Sequence, residues 1–133
     1  MWDINWLAVI GSALVGLVVG GLWYGPLLGK RWQVEVGMSD ETMKSSNMPL
    51  IFGTMIALNL FSAFILGHVL ATYGGPGLHV SLMIGFGIGL GFVATALGVN
   101  YLFQRKSLVL FGIDAGYWVV TYTLMGAVFG ALR

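Results

Sequence analysis

Four apolar runs, each about twenty residues long, take up most of the chain, and polar residues collect in the gaps between them. A membrane-crossing α-helix needs ~20 consecutive apolar residues. The pattern therefore predicts four spans, at about 5–25, 49–72, 79–103 and 108–132. Residues 1–133 then form one membrane domain, an all-α integral membrane four-helix bundle. The first run has Trp2 and Trp6 at one end and Trp23 and Tyr24 at the other, where amphipathic rings sit at headgroup level. Pro26 is expected to stop this helix, since it lacks an N–H and its ring clashes with the preceding turn. Pro49 suits the first turn of the second helix, and Tyr73-Gly74-Gly75-Pro76-Gly77 reads as a tight turn ahead of the third.

The polar segment 26–48 mixes Lys30, Arg31 and Lys44 with Glu35, Asp40 and Glu41. Ser39-Asp40-Glu41 places acids where a short helix would begin, so an interfacial helix or ordered loop is expected there. Four spans put the 26–48 and 104–107 connections on one side, with both termini and the 73–78 turn on the other. The first side holds Lys30, Arg31, Lys44, Arg105 and Lys106, and the second holds Arg133. The positive-inside rule then places the two basic loops in the cytoplasm and the termini outside. Asp3 is the only early charge and the first run is too long for a signal h-region, so that run is expected to remain as a span.

Composition supports this reading. Of the 133 residues 58% are hydrophobic and 8% charged, against ~25% charged in a soluble domain. Four spans leave no length for a soluble catalytic domain. There is no cysteine and the net charge is +1, which removes thiolate chemistry and leaves no electrostatic case for nucleic acid. Glycine makes up 21 residues, about twice the usual ~7%, and membrane helices use such residues for close packing. Ser12, Gly16 and Gly20 recur every four residues, forming one stripe on a helix face. Gly85/Gly89 and Gly87/Gly91 make two adjacent small-residue faces, and Gly112/Gly116 and Gly126/Gly130 repeat the device in the last span. That is more than one four-helix bundle needs, which points to a homo-oligomer. The alternating glycines do not form a phosphate loop, for no strand, following Lys-Ser/Thr or helix N-terminus surrounds them.

Asp114 lies six residues into the last span, or ~9 Å along it. An unpaired charge there costs ~3 kcal/mol on insertion scales, so the side chain must face protein or water and find a donor, or take a proton. Folding the hairpin about residues 105–106 sets Asp114 level with Leu97 and one turn from Asn100. Asp114, Tyr117, Trp118 and Thr121 share one helix face. One reading is a protonatable or cation-binding residue at the inner end of a pathway. The other is a clamp fixing helix packing, with Asn100, Asn59, a threonine or Arg105 as donor. Asn59 lies ~15 Å deep, where asparagine most often joins helices. His68 and His79 flank the glycine turn without the three or four ligands that zinc requires, so no metal or cofactor site is expected.

Leu22-Trp23-Tyr24-Gly25-Pro26 and the following residues to Trp32, together with Asn5-Trp6 and the stretch 91–120, resemble a bacterial family of small four-span membrane proteins. That family is known only as a conserved domain of unknown function. Leu28 stands where Phe is usual, and Gln104 where an acid often follows the Phe. The resemblance implies four helices in a bacterial inner membrane and brings no activity. Function therefore lies between two readings. One is a homo-oligomeric transporter, channel or small-ligand-binding protein using Asp114, Asn100 and Asn59. The other is a non-catalytic scaffold or accessory subunit of a larger membrane complex. An enzyme acting on lipid would need a nucleophile–base pair or metal site, and neither is spelled out.

Overall fold

The computed structural model describes residues 3–133, which are helical without a strand. Trp2, expected at an interface, lies outside the described residues. Asn5 caps α1 (Trp6–Leu22) by accepting from the Ala8 N–H. Its Nδ2 also donates to the Leu132 carbonyl at 2.9 Å, tying the two chain ends together. The helical backbone breaks at Gly25, directly before Pro26, where φ is −107° and ψ is −106°. The chain kinks there, within the π-helical turn Trp23–Leu27, and Leu28 N–H donates across the kink to the Trp23 carbonyl at 2.8 Å. Proline offers no N–H to the usual ladder and restricts the residue before it, so the break falls at Gly25. Gly29 opens α2 (Gly29–Val36). A Cβ there would lie 2.3 Å from the Tyr24 carbonyl oxygen, so only glycine lets α2 fold back against the end of α1.

Ser39 caps α3 (Asp40–Lys44) through the Thr42 N–H, with Asp40 and Glu41 in its first turn. Asn47 likewise caps α4 (Met48–Thr72), and Ser107 caps α7 (Leu108–Ala131). The third crossing runs from α5 (Leu78–Ile88) through a π-helical turn, Gly89–Ala94, into α6 (Thr95–Phe103). Among the described residues, Trp6–Leu27, Met48–Thr72, Leu78–Phe103 and Leu108–Ala131 are the four stretches long and apolar enough to cross a membrane. The α2, α4 and α6 ends close alike. Met38, Gly75 and Lys106 N–H groups reach back to the Gln33, Leu70 and Tyr101 carbonyls, the 6→1 bond of a left-handed helix stop. Gly37 and Gly74 occupy the left-handed position in the first two, but Arg105 occupies it in the third, at φ 56°.

The last span is the hub, with α5 on one flank and α1 on the other, while α4 leans chiefly on α1. On the α5 flank the backbones nearly touch. A Cβ on Gly85 would fall 2.1 Å from the Tyr122 carbonyl oxygen, and one on Gly126 would fall 2.3 Å from that of Ser81. Gly89 faces the Val119 backbone and Gly130 that of Leu78. On the α1 flank Ser12 donates to the Met125 carbonyl at 3.4 Å, and Gly16 and Gly20 face Asn59 and Tyr117. Gly116 receives the Trp23 ring, whereas Gly87, Gly91 and Gly112 look onto open space. Ala8, Val9, Ala63, Leu66, Leu70, Met125 and Phe129 form the core, near the end where the chain termini meet. At the opposite end α4 stands apart, leaving Leu50, Ile51 and Phe52 exposed.

Candidate functional site

The polar site lies at that second end, where the π-helical turn swings two aromatic side chains toward the last span. Trp23 comes first. Its indole N–H donates to the Ile113 carbonyl at 2.8 Å while its ring covers Gly116. Tyr24 follows, and its hydroxyl donates to Asp114 Oδ1 at 2.5 Å. The other oxygen, Oδ2, accepts from the Tyr101 hydroxyl of α6. One carboxylate thus joins the first, third and fourth spans. Hydrogen bonds to a charged group contribute about 1.5–3 kcal/mol each, enough together to offset the ~3 kcal/mol cost of a carboxylate at this depth.

Aromatic packing holds the two donors in place. Tyr24 meets Tyr117 edge-on at 5.3 Å and Trp32 of α2 at 5.8 Å. The Tyr117 hydroxyl donates to the Gly16 carbonyl at 2.9 Å, which explains the glycine faces beside it on α1. Tyr101 packs edge-on against Phe111 across the hairpin. At the turn, Glu35 of α2 accepts from the Ser107 hydroxyl and pairs with Arg31 at 3.4 Å. The carboxylate so placed favours the positive end of α7 and latches α2 across the hairpin.

The residues read as candidates are not all gathered there. Asp114 and Tyr117 lie together, both contacting Tyr24. Asn100 is exposed on the outer side of α6, and the next residue, Tyr101, supplies the hydrogen bond instead. Asn59 and Thr121 are buried deeper in the bundle, with 2% and 0% of their surface exposed. The Asn59 Nδ2 has no hydrogen-bond partner among the described residues. Sequence reasoning missed both tyrosine donors. Tyr101 was accessible to it, because it lies one turn from Leu97 on the face that the folded hairpin turns to Asp114. Tyr24 read as a headgroup-level ring, and nothing local announced that a kink would aim it inward.

A cleft separates the first half of α4 from α1 and α7. It consists of two adjoining hollows of about 410 and 390 Å³ that share Ile51, Met55 and Trp118. Tyr24 and Tyr117 line the first and Asn59 the second. The Asp114 clamp therefore forms part of the cleft wall through Tyr24. Among the described residues no three His, Asp or Glu side chains converge on a point. His79 is exposed, and His68 packs edge-on against Phe64 at 4.4 Å.

The family model described as "Protein of unknown function (DUF1761)" matches residues 7–130. No curated protein matches the chain, and no solved structure does.

Proposed function

Since the chain belongs to this family of unknown function, we propose its role from its geometry: a multi-pass membrane protein that binds a small ligand in the α4 cleft and moves it, transporter-like, as a homo-oligomer. The observation that carries this is the Asp114 clamp, one carboxylate shared by hydroxyls from two other spans, of which one donor, Tyr24, lines an open cleft. Taking up a proton or a cation removes acceptor capacity from Asp114 and loosens Tyr24, and with it the cleft wall. Asn59 is the polar contact at the far end. The bilayer is a bacterial inner membrane, with the basic loops inside and both termini outside, as Lys30, Arg31, Lys44, Arg105 and Lys106 favour. In proteoliposomes, a proton- or cation-dependent solute flux is expected to fall at least tenfold in Asp114→Asn. Absence of such a flux, or a flux indifferent to this substitution, overturns the reading.

Assembly rests on the glycines that the single chain leaves unused. Gly87 and Gly91 form a small-residue pair on the outer face of the third crossing, with open space beyond them, and such pairs let helices approach closely. Gly87→Leu with Gly91→Leu is expected to shift the protein from oligomer to monomer in mild detergent, measured by light scattering. An unchanged mass removes this face from the interface.

A further inference from the structure

The hairpin turn between the third and fourth spans holds a feature that the proposed transport role does not use. A third hollow, of about 290 Å³, lies between α6 and α7, bounded by Gly98, Tyr101, Leu102, Leu108 and Phe111. Lys106 and Ser107 stand at its turn end. Gly98 is five residues from the end of α6, so the groove runs ~8 Å into the hydrocarbon layer. It is apolar along its length and basic at its mouth.

Charge at that mouth is one-sided. Residues 104–107 contain Arg105 and Lys106 and no acid, since Gln104 opens the turn. The carboxylate beside them, Glu35, already has one oxygen on Ser107 and the other on Arg31. Among the described residues neither Arg105 nor Lys106 makes an ion pair. Arg105 holds a left-handed conformation at φ 56°, where glycine would be the less costly residue.

We infer that this groove is a binding site for an anionic phospholipid, with an acyl chain along Leu102, Leu108 and Phe111 and the phosphate on Lys106 and Arg105. Basic pockets between membrane helices at headgroup level recognise such lipids. Two features select the lipid over other occupants. The groove continues from the interface into the hydrocarbon layer, which a free anion cannot exploit, and its mouth has Lys106 unpaired among the described residues while the nearby acid, Glu35, is already paired with Arg31. The bound chain lies against Tyr101, one of the two Asp114 donors, so lipid identity bears on the clamp.

The test offers delipidated, detergent-purified protein equal amounts of phosphatidylglycerol and phosphatidylcholine of identical acyl chains, with retained lipid read by native mass spectrometry. Phosphatidylglycerol is expected to be retained over phosphatidylcholine. Lys106→Gln and Arg105→Gly are each expected to cut that preference about fivefold, the factor one basic side chain supplies near a charged bilayer. Lys106→Arg keeps it. Arg105→Gly relaxes the backbone, so its loss is not a folding failure, and Lys44→Gln, which removes an equal charge from α3, leaves retention unchanged. Equal retention of the two lipids overturns the inference, as does a loss in Lys44→Gln equal to that in Lys106→Gln. Displacement of the lipid by inorganic phosphate alone also overturns it, by reducing the site to one for a free anion.

Discussion

Gly85→Val is expected to abolish the packed hairpin, while the same substitution two residues on, Gly87→Val, leaves it intact. The two glycines share a helix and a composition but not a neighbour. A Cβ on Gly85 would overlap the Tyr122 carbonyl at 2.1 Å, whereas nothing lies within 4 Å of one on Gly87. The obstacle at Gly85 is backbone, which cannot rotate aside as a side chain can, so α5 and α7 must separate. Overpacking in a close-packed interior costs typically 1–3 kcal/mol and occasionally more, and a backbone overlap belongs at the upper end, at about 3 kcal/mol or above. Separation also withdraws the partner of Gly126, whose Cβ position lies 2.3 Å from the Ser81 carbonyl. Unfolding by SDS titration, followed by tryptophan fluorescence, measures both variants. A Gly85→Val protein as stable as the wild type would mean that the third and fourth spans do not meet at Gly85.

Removing both hydroxyls from the clamp, Tyr24→Phe with Tyr101→Phe, is expected to destabilise the protein by about 3–5 kcal/mol. Each hydroxyl donates to its own oxygen of Asp114, and a hydrogen bond to a charged group contributes about 1.5–3 kcal/mol. Either single change leaves one donor in place and should cost about 2 kcal/mol. The pair leaves an uncompensated acid inside the membrane, the costlier condition. Asp114→Asn in the double-Phe background is expected to recover part of the loss, because the neutral amide needs less compensation. The same denaturation assay reads all four proteins, and the double-mutant cycle separates the shared acceptor from simple addition. Singles that cost nothing would place Asp114 in water rather than between the two rings.

These two expectations differ in how much of each could be read along the chain. That Asp114 sits about 9 Å into a span follows from run length and helix rise, and that it requires a donor follows from the cost of a membrane charge. Which donor it takes does not follow. Asn100, Asn59, threonines and Arg105 were all within plausible reach, yet the hydroxyls of Tyr24 and Tyr101 provide both bonds. Tyr24 sits at the kink that forms at Gly25 ahead of Pro26, and which way that kink turns the ring is set by tertiary packing. Tyr101 arrives because α6 is rotated to turn it inward and Asn100 outward. Neighbours on a helix stand about 100° apart around its axis, and no local pattern records which of them turns inward in a helix apolar on every side.

Glycine shows the same division. Spacing alone made Gly85/Gly89 and Gly87/Gly91 equal candidates for close packing, yet the structure sets the first pair against α7 and leaves the second facing outward. By itself the sequence determined what local chemistry determines: an all-helical chain with four stretches able to cross a membrane, a capped polar segment, and a half-buried acid in need of partners. Hydrophobic run length and capping residues act within a few turns of the chain. The tertiary structure alone decided the tyrosine clamp, the glycine pair in contact and the cleft beside α4. Each of these depends on helix rotation and neighbour choice, which dispersion packing and a few hydrogen bonds settle between segments far apart in the chain, as with Tyr24 and Asp114, 90 residues apart.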